Sequence, residues 1–125
     1  MTIIDTDLLI DFLDGNQEVR EPMAKRMQSE NLATTIINHY ELFKGAESIK
    51  QEESIMALLN KIDAYPLDFA SMKSAAKIFQ TLKKAGNLIP ESDILVAGIA
   101  HAHNELLLTR DKHFKKTTMI KIEII

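Results

Sequence analysis

The stretch "TIIDTDLLIDFLD", residues 2–14, contains the pattern that determines the fold. Residues 2–5 begin with β-branched side chains and end in Asp5, which is typical of a short strand leading to a polar turn. Apolar residues at helical spacing follow in "LLIDFL", and Asp14-Gly15 indicates where that helix ends. The sequence therefore places a carboxylate at the point where a buried strand passes into a helix.

Strand-like runs recur along the rest of the chain, with helical patterns between them. The predicted strands are residues 2–5, 32–37, 106–109 and 119–124, with a weaker candidate at 64–67. Strands that alternate with helices favour βαβ units and a mainly parallel sheet. We expect a single domain over residues 1–125, with an α/β fold: a Rossmann-like three-layer α/β/α sandwich with a four- or five-stranded sheet.

Three further helices are predicted from apolar spacing. The first contains Val19, Met23 and Met27, and either Pro22 lies in its first turn or the helix begins later. The second spans residues 69–84, with Asp68 as N-cap and Gly86 beyond its end. Its predicted core face is Phe69, Met72, Ala75, Ala76, Phe79 and Leu82. The third, residues 94–102, is apolar on nearly all sides and is expected to be buried.

The composition excludes several classes of protein. Cysteine is absent from the 125 residues, which rules out disulfides, thiolate nucleophiles and cysteine-based zinc sites. No segment approaches the roughly 20 apolar residues of a membrane span, and a cytoplasmic protein is expected. The net charge of −3 argues against a surface that is basic overall, although a local basic rim stays compatible with it.

Acidic residues follow the predicted strands at the edge where ligands bind in open parallel sheets. Asp5 follows the first strand directly, Glu41 lies about one helical turn past the second, and Asp111 comes two residues after "LLLT". Asp93 stands at the head of the apolar helix, but no strand precedes it, so its edge is not fixed by the sequence.

Four carboxylates in one pocket would repel one another, and a divalent cation is the simplest compensation. Oxygen ligands without cysteine favour Mg²⁺ or Mn²⁺ over zinc, and such an ion suits phosphodiester hydrolysis by water. Taken singly, each acid has a simpler explanation. Asp5, Asp93 and Asp111 could each cap a helix, and Glu41 could be a first-turn residue that is favoured by the helix dipole.

The same positions resemble those of PIN-domain proteins, in particular VapC-type toxin ribonucleases of toxin–antitoxin pairs. The resemblance rests on "IIDTDLLIDFL", "TTIINHYELFKGA", "IPESDILVAGIAHAHNELLLTRDKHF" and "TMIKIEII", which follow the family's order over nearly the whole chain. It implies an endoribonuclease that uses Mg²⁺ or Mn²⁺ and leaves a 5′-phosphate. It also implies an RNA substrate, a small antitoxin partner and a homodimer.

The resemblance assigns roles to particular residues of this chain. The family's catalytic and metal-binding acids fall on Asp5, Glu41, Asp93 and Asp111. Thr6 and Thr109 match positions that support the site, and Asp7 occupies a place where Asn or Ser is also accepted. On this interpretation the RNA backbone would contact Lys44, Lys112, His113, Lys115 and Lys116.

Other interpretations of the same residues stay open. "DTDLL" has some likeness to the acidic motif of haloacid-dehalogenase-like phosphatases, in which the first Asp is a nucleophile, and Asp68 could be the phosphoacceptor of a receiver domain. A phosphoryl adduct on Asp5 or Asp68 would separate these from a nuclease. A non-catalytic interaction module on the same fold is a third possibility. No histidine spacing indicates a zinc site.

Overall fold

The computed structural model describes residues 1–125 and contains a five-stranded parallel sheet with helices on both sides. The elements are β1 (Thr2–Ile4), α1 (Thr6–Leu13), α2 (Gln17–Ser29), β2 (Leu32–Thr35), α3 (Ile36–Lys44), α4 (Ile49–Leu59), β3 (Asp63–Tyr65), α5 (Phe69–Ala85), α6 (Glu91–Ala102), β4 (Leu106–Thr109), a 3-10 helix (Lys112–Lys116) and β5 (Lys121–Ile124). The strand order is β3-β2-β1-β4-β5. The predicted three-layer α/β fold is confirmed.

Successive residues of the central strands face opposite layers. Ile3 and Leu107 belong to a buried cluster with α5 and α6, whereas Ile4 and Leu108 belong to a second cluster with α1, α2 and α4. Side chains of a strand alternate between the two faces, and both faces are covered here. This double burial explains why the successive residues Ile3-Ile4 and Leu107-Leu108 are all apolar instead of alternating with polar residues.

The strand order creates a crevice at one edge of the sheet. From β1 the chain moves outward through β2 to β3, and it then returns to β4 on the other side of β1. Ligands of open α/β sheets bind outside the carboxyl ends of the strands at such a change of direction. Asp5 follows β1 and Asp111 follows β4, so both stand at this crevice.

Several strand boundaries differ from the prediction. Residues 36 and 37 belong to α3 and not to β2, because Thr35 and Asn38 form a capping box that starts the helix. β1 ends one residue before Asp5, and β5 begins at Lys121 instead of residue 119. The weak candidate at 64–67 is a true strand, but it covers residues 63–65.

The prediction that Pro22 lies in the first turn of its helix, or that the helix begins later, is wrong. α2 begins at Gln17, so Pro22 lies in its second turn. Proline removes the hydrogen bond that the carbonyl four residues earlier would accept. That carbonyl belongs to Glu18, which is exposed, so water can replace the missing donor.

The predicted core face of α5 is only partly correct. Ala75 and Leu82 are buried, but the other buried residues are Ser71 and Ile78, while Phe69 is 71% exposed. The reason is the close contact with α6. A Cβ at Gly98 of α6 would lie 2.5 Å from the Cβ of Ala75, which leaves space only for small side chains.

The ends of α5 and the burial of α6 agree with the prediction. The Asp68 side chain accepts a hydrogen bond from the Ser71 N–H (2.8 Å), and Gly86 ends α5 with φ +70°. α6 is buried through most of its length. No helix of the chain combines the length and apolar character needed to cross a membrane.

We predict that Gly98→Ala destabilises the fold. The added Cβ would lie 2.7 Å from the Ser71 carbonyl oxygen and the Ala75 nitrogen, which are backbone atoms that cannot rotate away. Overpacking should lower the free energy of unfolding by about 2 kcal/mol, net of the better helix propensity of alanine. Urea titration followed by circular dichroism measures this change.

Gly45→Ala is the matched control for this substitution. A Cβ at Gly45 would meet its nearest atom at an ordinary 3.5 Å. Its effect should stay within about 0.5 kcal/mol. Equal stability of the two variants would contradict the close helix contact.

Candidate functional site

Asp5 is buried and does not cap the helix that follows it. Its side chain makes no capping hydrogen bond, although its backbone has the extended conformation of an N-cap. Instead, the Thr109 Oγ1 hydroxyl donates to one carboxylate oxygen (2.7 Å), and the Asn38 Nδ2 amide lies 3.4 Å from the other. The carboxylate is thus held by the last residue of β4 and by a residue in the first turn of α3, which follows β2.

Asn38 belongs to the site but is not among the predicted residues. Its Nδ2 amide also donates to the Thr6 hydroxyl (2.9 Å), and its Oδ1 oxygen accepts from the Thr35 hydroxyl and backbone N–H (2.7 and 3.1 Å). Both polar atoms of this fully buried amide therefore take part in hydrogen bonds. The Thr35-x-x-Asn38 spacing signals a helix cap in the sequence, but nothing local signals the contact with Asp5.

Glu41 lies in the second turn of α3, not in its first turn. The Thr6 hydroxyl donates to Glu41 Oε1 (2.7 Å), and the Ser92 hydroxyl donates to Oε2 (3.4 Å). Because Ser92 precedes Asp93 in α6, this contact joins the two helices beside the crevice. The explanation of Glu41 as a first-turn residue favoured by the helix dipole is wrong.

Asp93 occupies the first turn of α6, whose N-cap is Pro90. Burial raises the pKa of Asp93 to about 7, and repulsion from Asp5, Asp111 and Glu41 adds to this shift. The hydrogen bond from the neighbouring Ser92 to Glu41 places the first turn of α6, and with it Asp93, at the same edge of the sheet as the other predicted acids. We call the set Asp5, Glu41, Asp93 and Asp111 the acidic site.

Asp111 has a structural role in addition to its place in the acidic site. It caps the 3-10 helix, because its carboxylate accepts from the His113 backbone N–H (2.8 Å), and the imidazole Nδ1 lies 3.0 Å away. Its own backbone N–H donates to the Thr109 hydroxyl (2.9 Å). The Thr109 hydroxyl therefore links Asp111 to Asp5.

The negative charge of the site is not balanced by basic side chains. Burial, partly offset by the Thr109 hydrogen bond, raises the pKa of Asp5 to about 6, and burial also raises the pKa of Asp7. Neither Asp5, Glu41 nor Asp93 forms an ion pair. The nearby Arg110 guanidinium donates instead to Asp11 and Glu18 (both 2.9 Å).

The chemistry of the donors fits a hard divalent ion held partly through water. No three carboxylate or imidazole side chains lie close enough to ligate one ion directly. Mg²⁺ normally keeps several waters and takes only one or two protein carboxylates. The raised pKa values of Asp5 and Asp93 show that a positive charge bound there would relieve an existing electrostatic cost.

The predicted RNA-contact residues lie on exposed turns and helix ends. Lys44 ends α3 with its Nζ 5.5 Å from the centre of the Tyr40 ring. Lys112, His113, Lys115 and Lys116 form the exposed part of the 3-10 helix next to Asp111. Their contact with RNA stays a prediction.

Residues 2–119 match the model of the PIN domain family. This chain belongs to the PIN domain family. The resemblance seen in the sequence is thereby confirmed. The chain is 33% identical over 100 residues to Ribonuclease VapC3 of Methanocaldococcus jannaschii, covering 78% of this chain and 95% of that protein. It is 28% identical over 126 residues to Ribonuclease VapC1 of the same organism, with 98% and 85% coverage.

Solved structures that superpose on this chain confirm the fold. VapBC2 from Rickettsia felis, bound to a promoter DNA fragment, superposes with a TM-score of 0.89 at 17% identity, covering 99% of this chain and 98% of that one. VapBC from Salmonella typhimurium, also bound to DNA, gives 0.85 at 20% identity, covering 98% and 96%. At such low identity these likenesses concern the fold alone.

We predict that Asp93→Asn stabilises the metal-free protein in a pH-dependent way. The folded state raises the pKa of Asp93 to about 7, so ionisation costs stability increasingly from about pH 4 upward and fully above about pH 7. The gain in Tm over the wild type in EDTA should therefore be larger at about pH 8 than at about pH 5. Mg²⁺ should reduce this gain, because it stabilises the wild type.

Glu53→Gln is the control for this melting experiment. Glu53 is exposed on α4 and takes part in no side-chain hydrogen bond or ion pair. Its substitution should leave the melting curve unchanged at both pH values. A pH-independent gain for Asp93→Asn would contradict the electrostatic explanation.

We also predict that Asn38→Ala destabilises the fold by about 2–3 kcal/mol. The substitution leaves buried hydrogen-bonding groups of Thr35 without a partner and removes a donor from Asp5. Urea denaturation measures the loss. Asn87→Ala, in the exposed turn after α5, should change stability by less than about 0.5 kcal/mol. A neutral effect of Asn38→Ala would contradict the role of its amide.

Proposed function

We propose that this protein is a divalent-metal-dependent endoribonuclease, the toxin of a VapBC-type toxin–antitoxin pair. One observation carries the proposal: Asp5, Glu41 and Asp93, none of which forms an ion pair, meet in a partly buried crevice at the carboxyl end of β1. Keeping such charges together costs stability, which favours a functional origin over a structural one. The similarity to Ribonuclease VapC1 and VapC3 supports the choice of RNA as substrate.

Mg²⁺ or Mn²⁺ would be held by Asp5, Glu41 and Asp93, directly or through water, with Asp111 completing the acidic site. When bound, such an ion lowers the pKa of a water molecule and neutralises charge on the scissile phosphate. The chain's own residues fix the carboxylates in place. Thr109 and Asn38 orient Asp5, whereas Thr6 and Ser92 orient Glu41.

The phosphotransfer alternatives receive little support from the geometry. Asp68 follows the edge strand β3, caps α5 and lies 3.4 Å from His103, whereas a receiver domain needs its phosphoacceptor on a central strand. No lysine pairs with Asp5, although a phosphatase of the haloacid-dehalogenase type uses a lysine beside its acids. A water nucleophile thus fits these acids better than an aspartyl adduct.

An antitoxin would bind over the acidic site and in a groove whose walls are partly apolar and partly polar. The groove, of about 540 Å³, lies between α1, α3 and α4 and has Ile10, Leu13, Leu42 and Ile55 among its walls. Met23, Leu58 and Leu59 are buried in the core and do not line this groove. The solved relatives described as VapBC complexes support a partner of this kind.

We further propose a homodimer. Met72 on α5 is 50% exposed, and Ile36 on α3 is 48% exposed. These side chains offer apolar surface that a second copy could cover. The mass of the purified chain in solution, measured by light scattering, distinguishes one copy from two.

We predict that the purified chain cleaves RNA in Mg²⁺ or Mn²⁺ but not in EDTA. Asp5→Asn and Asp93→Asn should each lower the cleavage rate at least about 100-fold, because each removes charge from the acidic site. The products should carry a 5′-phosphate, and no phosphoryl adduct should form on Asp5 or Asp68. Gel analysis and end-group labelling provide both readouts.

Asp63→Asn serves as the control for these variants. Asp63 is an exposed acid at the start of β3, away from the crevice, and its substitution should leave cleavage unchanged. Full activity of both Asp5→Asn and Asp93→Asn would exclude the proposed roles. Cleavage that persists in EDTA would exclude the metal.

A further inference from the structure

Helix α5 differs in charge from every other helix of the chain. No acidic residue occurs between Asp68 and Glu91, and α5 contains four lysines. Each of the other five α-helices contains at least one Asp or Glu. In a chain of net charge −3, α5 thus presents a locally positive surface.

Three of these lysines form a line along the exposed side of α5. Lys73, Lys77 and Lys84 are separated by four and seven residues, so at 100° per residue they share one face. We call them the lysine row. All three are exposed, on the side away from the buried residues of α5. At 1.5 Å per residue the row is about 16 Å long.

The charges of the lysine row are not neutralised by the protein. None of the three ammonium groups lies in a salt bridge, which holds for every lysine of the chain. The lysine row differs from the other lysines because it lies along one face of a helix that contains no acidic residue. The Nζ of Lys73 lies 5.7 Å from the centre of the Phe69 ring, which adds an exposed aromatic face at one end of the row. Unpaired lysines beside an aromatic ring are typical of surfaces that bind single-stranded nucleic acid.

The lysine row leads to the edge of the sheet that holds the acidic site. α5 and α6 run antiparallel, because His103 at the end of α6 lies beside Asp68 at the start of α5, and Gly98 contacts Ala75. The C-terminal end of α5 therefore lies next to the N-terminal end of α6, where Asp93 is located. Lys84 stands at this end, and Lys73 is the lysine farthest from it.

We propose that the lysine row binds the phosphate backbone of single-stranded RNA that extends from the acidic site along α5. This inference rests on the proposed ribonuclease function and adds the path of the substrate. The acidic site repels phosphate unless cations compensate, so affinity for a polyanion has to come from positive charge elsewhere on the surface. The lysine row, which starts at the edge of the sheet that holds the acidic site, supplies this charge.

The test combines Lys73→Gln, Lys77→Gln and Lys84→Gln in a cleavage-deficient Asp93→Asn background. Binding of a fluorescent oligouridine of about 20 nucleotides is measured by anisotropy over a range of salt concentrations. Each lost phosphate contact should lower the slope of log K against log salt by about 0.7, so the slope should fall by about 2. At about 0.1 M salt this corresponds to an affinity loss of about 100-fold.

The matched control replaces three exposed lysines on the opposite face of the sheet: Lys25, Lys50 and Lys61, each to Gln. This control makes the same change in net charge. It should keep most of the affinity for oligouridine and nearly the same slope of log K against log salt. An equal loss in both triple variants would overturn the inference, and so would unchanged binding by the α5 variant. If the α5 triple variant lost binding of polyglutamate but still bound oligouridine, the lysine row would be a site for an acidic protein. That result would also overturn the inference.

Failure of the proposed function would be visible separately. A wild-type chain that binds oligouridine through the lysine row but never cleaves RNA would contradict the nuclease and leave the binding face in place. If the chain cleaves RNA and the α5 triple variant binds and cleaves it equally well, the nuclease function stands and the proposed path of the substrate is wrong.

Discussion

The burial of the Asp5 carboxylate at the end of β1, close to other acidic side chains, is the constraint on which the acidic site depends. Asp5 is buried at this point without a basic partner, and its charge is held only by the Thr109 hydroxyl and the Asn38 amide. Two neutral donors do not offset the loss of water, so the pKa of Asp5 rises to about 6. Burial is also the main reason why the pKa of the nearby Asp93 is raised.

This arrangement needs the complete sheet. The acidic site draws one residue each from the ends of β1 and β4 and from α3 and α6, and these elements are far apart along the chain. Thr6 and Thr109 then tie the elements together, because their hydroxyls donate to Glu41 and Asp5. A local defect in one strand end would therefore disturb the carboxylates contributed by the others. The parallel sheet, covered on both faces, provides the rigidity that such a site requires.

Much of this could be predicted from the sequence, because strand-end carboxylates and apolar periodicity are local signals. The sheet, the long α5 and the edge occupied by Asp5 and Asp111 follow from short stretches. Other features could not be predicted, because they depend on contacts between distant segments. In the sequence, the spacing of Thr35 and Asn38 indicates only a helix cap. The contact of the Asn38 amide with Asp5 arises from the packing of α3 beside β1. The core face of α5 was misassigned because its spacing fits two neighbouring stripes, and contact with Gly98 selects the one with small residues.

The contact between Gly98 and Ala75 has a mechanical consequence. Gly98 brings no side chain to this contact and Ala75 brings only its Cβ, so no rotamer change can absorb a relative displacement. α5 and α6 must then shift together as one rigid pair. A molecule that binds to the exposed side of α5 and displaces this helix would therefore also displace the first turn of α6. Binding at the outer surface would then change the position of the Asp93 carboxylate.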